Sequence, residues 1–252
     1  MTNNTRIYND VVDINIDNMK KFYDKRAGNI ENLTNIYTSV LGNDKNLELI
    51  NEQLRIEKEI ILPKLQIDKE SKVIDIGCGI GRWAEEIIDD CGFYYGIDFS
   101  ENMIDVAKQR MLNLGKSNYE FESMTFQELS LKAGNSGKFN RVIISGILAV
   151  INDSDLIDCL HGLSGLLEQS SIIFVWEPCG LEQRLTLRDF HSEALEDKHN
   201  VIYRTVKEYD KLFSCFIDNG FQEVFKEYYS SLGGTKTYID SDKIYYIFKR
   251  ND

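Results

Sequence analysis

Val73-Ile-Asp-Ile-Gly-Cys-Gly-Ile-Gly81 is an apolar run that ends in three alternating glycines. Lys72 to Ile76 reads as a buried strand. Gly77, Gly79 and Gly81 permit a tight turn and leave no Cβ between the main chain and a ligand, and Arg82-Trp-Ala-Glu-Glu-Ile-Ile opens a helix. About twenty residues further on, a second apolar run, Phe93-Tyr-Tyr-Gly-Ile, ends in Asp98. A carboxylate at the tip of the adjacent strand can accept from both hydroxyls of a ribose. The glycine triplet alone is a weak signal; paired with Asp98 it describes a nucleotide-type binding site.

The details decide which nucleotide. A dinucleotide fingerprint, Gly-x-Gly-x-x-Gly, seats a pyrophosphate on the helix N-terminus. Here the third glycine position is Arg82, and Asp75 stands inside the strand two residues before the first glycine. A carboxylate there opposes a phosphate and suits a ligand carrying an ammonium group. At these residues the chain resembles the class I S-adenosylmethionine-dependent methyltransferases, whose glycine motif has the form of Asp75-Ile-Gly-Cys-Gly-Ile-Gly81 and whose second strand ends in an acid, as at Asp98. The resemblance follows the order of elements over roughly residues 70 to 250. It implies an α/β fold: a doubly wound, mostly parallel, seven-stranded Rossmann-like sheet of order 3-2-1-4-5-7-6, closed by an antiparallel hairpin.

Composition sets bounds. With 252 residues and 42% hydrophobic content the chain can bury one sizeable core without disulfides or metals. The formal net charge of −12, with no basic run, disfavours a nucleic-acid partner, because such partners require concentrated positive charge. Cys78, Cys91, Cys159, Cys179 and Cys215 form no C-x-x-C pair, which suggests neither a disulfide framework nor a metal site and fits a reduced interior. No stretch approaches the length that spans a bilayer, and the N-terminus has no apolar segment after its charges. A cytoplasmic protein with a small-molecule partner is expected; oligomeric state is not legible.

Residues 1–66 read as a helical extension or lid, with Leu47, Ile50, Leu54 and Ile61 at helical spacing and Pro63 as the stop. The methyltransferase domain is expected over 67–252. Ser100 is the expected N-cap of a helix to Leu114, ended by Gly115. Strands are expected over Tyr119 to Glu122, Arg141 to Leu148 and Ser171 to Trp176, with a helix over Asp153 to Glu168. The segment 178–204 is polar, weakly amphipathic and longer than a connection requires, the mark of a lid or binding loop. Thr205-x-x-Glu208 is a capping box for a helix stopped at Gly220, and Phe221 to Tyr229 and Ile244 to Lys249 read as the last strands.

By the resemblance, backbone at Gly77, Cys78 and Gly79 meets the methionine part of S-adenosylmethionine and Asp98 holds its ribose. Phe99 and Met103 cover the adenine, Thr125 and Phe126 meet its edge, and Ser145 and Gly146 bind the ammonium. Lys20-Lys-Phe-Tyr-Asp-Lys-Arg-Ala27 is similar to a stretch of some small-molecule methyltransferases that places Tyr23 and Arg26 over the cofactor carboxylate. The plain alternatives are core packing for Phe99 and Met103 and a solvated helix face for Tyr23 and Arg26.

Methyl transfer to a hydroxyl requires a base, whereas a neutral amine attacks directly. His161 falls off the leucine stripe of its helix. His191 and His199 lie in the insertion; His191 is the expected base, with His199, Tyr203 and Glu177 as acceptor contacts and Glu177 as the alternative base. Gly79-Ile-Gly-Arg-Trp-Ala84 and Ser145-Gly-Ile-Leu-Ala-Val-Ile-Asn-Asp153 resemble bacterial sugar methyltransferases of surface polysaccharides, which implies an O-methyltransferase. An amine N-methyltransferase, a non-catalytic cofactor binder and an NAD-dependent oxidoreductase are the rival readings.

Overall fold

The computed structural model describes residues 6–42, 46–132, 137–192, 195 and 197–251. A short strand, β1 (Arg6–Tyr8), precedes α1 (Ile16–Gly28), α2 (Thr38–Leu41) and α3 (Leu47–Ile56). Asn15 caps α1 by accepting from Asn18 N. After α3 the chain widens into a π turn over Glu57–Ile61 and tightens over Leu62–Leu65, where Pro63 cannot continue the ladder.

Strands and helices then alternate: β2 (Lys72–Ile76), α4 (Arg82–Ile87), β3 (Phe93–Asp98), α5 (Glu101–Asn113), β4 (Tyr119–Ser123), α6 (Phe126–Leu131), β5 (Phe139–Ser145), α7 (Asp153–Ser164) and β6 (Leu167–Gly180). There follow β7 (Leu185–Ser192), β8 (Asp197–Thr205), α8 (Val206–Asp218), β9 (Gln222–Tyr228) and β10 (Ser241–Arg250). The central strands run β4-β3-β2-β5-β6-β10-β9, parallel except for β10, which lies antiparallel between β6 and β9. This is the doubly wound methyltransferase order.

Period-two alternation divides the core between the two faces of the sheet. Ile74, Ile76, Val142, Ile144, Ile173, Val175 and Tyr246 join α6, α7 and α8 on one side. Val73, Ile143, Ile172, Phe174, Trp176 and Tyr245 join α4, α5 and the end of the α3 run on the other. Strand order reverses between β2 and β5, so a crevice opens beyond their carboxyl ends.

Several expectations are corrected. Among the described residues the sheet has ten strands, not seven. The surplus is β1 and the β7–β8 hairpin: the insertion is built structure, with Leu185, Leu187 and Val201 buried in their own cluster. β5 ends at Ser145, three residues early, because Gly146 turns the chain at φ +75°. β6 then runs on past its pairing with β5, and β8 takes up the open edge at Cys179 and Gly180. α7 stops at Ser164, and Leu167 and Glu168 already belong to β6. Among the described residues of the N-terminal extension, α1, α2 and α3 are helical as expected, and β1 departs from that reading by pairing with β7.

Candidate active site

Gly77, Gly79 and Gly81 all take positive φ, at +75°, +52° and +73°. The turn is tied to the neighbouring strand: Gly77 N and Cys78 N donate to Ile97 O at 2.8 and 2.9 Å, and Gly79 N donates to Asp98 Oδ2 at 3.0 Å. Asp98 Oδ1 accepts from Ser100 N at 2.9 Å. The two sequence signals are therefore one physical unit, with the acid fastening the turn. Burial pushes the Asp98 carboxyl up to about 6, against those two N–H donors.

Beside the turn lies a cavity of about 770 Å³. Gly77 and Cys78, Ser145 and Gly146, Tyr23 and Arg26, and His191, His199 and Tyr203 all line it. The structure thus draws together nine of the sequence candidates from four separate stretches of chain. Gly146 is required here: a Cβ would lie 2.5 Å from the Trp176 ring. Arg26 donates from Nε to Ser39 O at 3.0 Å and also to Thr38 O, which fixes α1 against α2. Cys78 is buried and its thiol is pushed well up, as befits a small turn residue.

Other candidates lie away from the cavity wall. Val40 of α2 covers Gly79, so that a Cβ there would come within 2.6 Å of it. Met103 is fully buried with Ala27 and Ile80 beneath Tyr23 and Val40, and Phe99 meets the Tyr23 ring edge-on at 6.0 Å. The N-terminal segment docks on this side, with Ser100 Oγ donating to Asp24 Oδ1 at 2.5 Å. Thr125 caps α6 in a capping box with Glu128, and Phe126 belongs to the core with Ile74 and Ile76. That box, Thr125-x-x-Glu128, has the same form as Thr205-x-x-Glu208 and was equally legible in the sequence. Glu177 is completely buried on the opposite face of β6 from Trp176. It accepts from Leu148 N at 2.8 Å and Ala149 N at 3.0 Å and anchors the loop after β5. Burial pushes its carboxyl up to about 8, against those donors and Arg204.

The two histidines differ. His191 is exposed at the rim, on the edge of β7. His199, on β8, meets the Phe22 ring at 5.5 Å, and burial, with Arg26 adding to it, pushes its pKa down to about 4. Its imidazole is neutral at pH 7 and keeps a lone pair free to accept a hydrogen bond. Sequence reasoning missed Lys243, Trp176 and the 235–242 segment on the opposite wall. A lysine at the start of a strand carries no signal, and only the β10–β6 pairing places it there. Among the described residues there is no metal-holding cluster of His, Cys, Asp and Glu, and no helix long and apolar enough to cross a membrane.

The profile of a methyltransferase domain family matches residues 67–252. The chain belongs to that methyltransferase family. It is 27% identical over 101 residues to the probable cobalt-precorrin-6B C(15)-methyltransferase (decarboxylating) of Methanocaldococcus jannaschii, covering 40% of this chain and 53% of that protein. Against the demethylmenaquinone methyltransferase of Staphylococcus epidermidis it is 33% identical over 66 residues, covering 25% of this chain and 27% of that one. The match thus spans about half or less of these relatives' lengths.

Among solved structures, Haemonchus contortus phosphoethanolamine N-methyltransferase 1, in complex with phosphoethanolamine and S-adenosylhomocysteine, superposes with a TM-score of 0.72 at 19% identity, over 93% of this chain and 48% of that one. Synechocystis PCC 6803 magnesium protoporphyrin IX methyltransferase with bound S-adenosylmethionine gives 0.62 at 16% identity, over 94% and 97%. These likenesses establish the fold.

The two solved neighbours are described with S-adenosylhomocysteine or S-adenosylmethionine bound, and the residues present here fit that cofactor. Asp75 is buried in the cavity wall; its Oδ2 accepts from Tyr94 OH, while Oδ1 has no partner among the described residues. An unsatisfied buried carboxylate oxygen is costly, and an ammonium group would satisfy it. Burial pushes Asp75 up to about 7, so a neighbouring cation would also restore its charge.

Proposed function

We propose that this enzyme methylates a hydroxyl of a small polar acceptor, of the kind found in free or nucleotide-linked sugars of surface polysaccharide, in the cytoplasm. The observation that carries the reading is the single cavity into which the glycine turn, α1 and the β7–β8 hairpin all face. It is large enough for a cofactor and a small acceptor together, and its acceptor side holds a neutral imidazole, that of His199. Five free, buried cysteines suit a reducing compartment.

When bound, S-adenosylmethionine supplies an electrophilic methyl group on a sulfonium, already a good leaving group. Asp75 holds its ammonium, Tyr23 and Arg26 lie over its carboxylate, and Asp98 accepts from its ribose. Gly77, Cys78, Ser145 and Gly146 give it backbone, Gly79 holds the turn beneath Val40, and Phe99 and Met103 support the adenosine side. The hairpin and the N-terminal segment, acting as a lid, exclude water and orient the acceptor. His199 takes the hydroxyl proton on an imidazole nitrogen. His191, the base expected from sequence, serves at the rim, and Tyr203 lines the acceptor wall. Glu177 contributes indirectly by holding the loop that carries Gly146.

An amine acceptor is the second reading, favoured by the weak basicity that burial imposes on His199. The deciding experiment assays a sugar beside its amino-sugar analogue, with methyl incorporation as the readout. Turnover of the hydroxyl compound supports the proposal, and exclusive turnover of the amine overturns it.

A further inference from the structure

β10 enters the cavity on the side of β6 away from β5, and its third residue is Lys243, opposite Pro178 in the β10–β6 register. The ammonium of Lys243 lies 5.4 Å from the ring centre of Trp176 and 4.6 Å from that of Tyr229. Among the described residues, Nζ donates one hydrogen bond, to Gln53 Oε1 at 2.5 Å. An ammonium carries three donors, so two find no oxygen acceptor among the described residues.

The acids nearby are engaged by other groups. Glu57 accepts from Gln53 Nε2 at 2.8 Å and pairs with Arg82. Asp242 accepts from Ser230 Oγ at 2.5 Å and from the Lys243 main-chain N–H at 2.7 Å. Glu52 accepts from Tyr229 OH at 2.7 Å and Thr235 N at 2.6 Å. Burial consequently outweighs the pull of Glu57, Asp242 and Glu52, and the Lys243 ammonium is pushed down to about 8. A cation desolvated more than it is compensated gains from an arriving anion and repels a second cation.

We infer that Lys243, set between Trp176 and Tyr229, is an acceptor subsite for an anionic group, and that the acceptor is a phosphorylated small molecule. Phosphate suits the site better than carboxylate. A phosphate monoester carries close to two negative charges on three oxygens near neutral pH, against one charge on two oxygens for a carboxylate, and so offers more to a compact ammonium whose donors rotate freely. The two rings give the acceptor's carbon skeleton an apolar wall. This deepens the small polar acceptor proposed above and rests on that reading, but its test requires no turnover.

Calorimetry on the protein saturated with S-adenosylhomocysteine, titrated with inorganic pyrophosphate and separately with acetate, compares the wild type with Lys243→Met. Methionine keeps the length of the stem and removes the charge. Pyrophosphate is expected to bind the wild type at least about tenfold more tightly than the variant, and acetate to bind both equally weakly. S-adenosylhomocysteine affinity should be the same in the two proteins.

As a check that needs no variant, amine-directed labelling near pH 8, read by mass spectrometry, should modify Lys243 in the wild type, and pyrophosphate should protect it. Equal pyrophosphate affinity in the two proteins, or labelling that pyrophosphate does not slow, overturns the inference. So does acetate binding as tight as that of pyrophosphate. Because no methyl is transferred, a failed hydroxyl assay leaves these outcomes standing on their own.

Discussion

The two ends of the cavity are built by opposite means. At the cofactor end, the turn from Gly77 to Gly81, Asp75 and Asp98 come from one βαβ unit, and main-chain N–H groups of the turn fasten it to Ile97 O and to the Asp98 carboxylate across a single strand boundary. At the acceptor end, β1, the β7–β8 hairpin, α1 and the start of β10 arrive from both ends of the chain. Their coherence depends on side chains. Arg204, buried on β8, donates to Leu148 O and Ile151 O at 2.7 Å each and pairs with Asp153, while Arg184 bridges Asp153 and Glu208 at 2.8 and 2.9 Å. A backbone cradle tolerates most side-chain changes outside its glycines, whereas an assembled wall can be rebuilt for a new acceptor without disturbing the cradle.

The largest expected effect tests that independence. Exchanging residues 188–199 for a short Gly/Ser linker removes Phe190, His191 and His199 but spares Arg184 and Arg204. Turnover should fall by about 10³-fold or more, while S-adenosylhomocysteine affinity stays within a few fold. Loss of cofactor binding in a variant that still folds would merge the two ends into one site.

Next comes the contrast between the two histidines. His199→Gln should lower kcat by about 10² to 10⁴-fold with cofactor affinity unchanged, whereas His191→Ala should cost less than about tenfold. The reverse ranking, measured in steady state, would return the base to the rim.

The smallest effect lies at the cofactor end. Asp98→Ala should weaken S-adenosylhomocysteine binding by about 2 kcal/mol through loss of a charged acceptor. Burial raises both Asp98, to about 6, and Asp75, to about 7. Each is the better acceptor when ionised, so wild-type affinity should fall as pH drops from 8 to 5. In Asp98→Ala the acidic fall should shrink to the part set by Asp75. Affinity in the wild type that is flat over this range, by calorimetry, would take both carboxylates out of the cofactor site.

What was legible follows the same division. β2 and β3, the start of α4, the Ser100 cap and the Thr205–Glu208 capping box stand where the sequence puts them, because each is governed by contacts a few residues apart. The order of the central strands came from the family resemblance, since periodicity fixes a strand's faces and not its neighbours. The hairpin escaped notice because its apolar residues, Leu185, Leu187 and Val201, are few and a bulge interrupts the alternation between Leu187 and Phe190. Glu177 illustrates the limit most clearly. Just beyond a strand-end tryptophan it reads as a ligand, yet the pleat turns it to the opposite face, where it becomes an anchor.

By itself the sequence determined a glycine turn, an acid behind it, an acid beyond it and the alternation that makes a methyltransferase sheet. Only the tertiary structure decided that His199 packs against Phe22 while His191 stays exposed at the rim, that Asp75 Oδ1 has no partner among the described residues, and that Lys243 stands between Trp176 and Tyr229. Local backbone geometry is encoded within a few residues, whereas desolvation depends on everything that closes around a group, however distant in the chain.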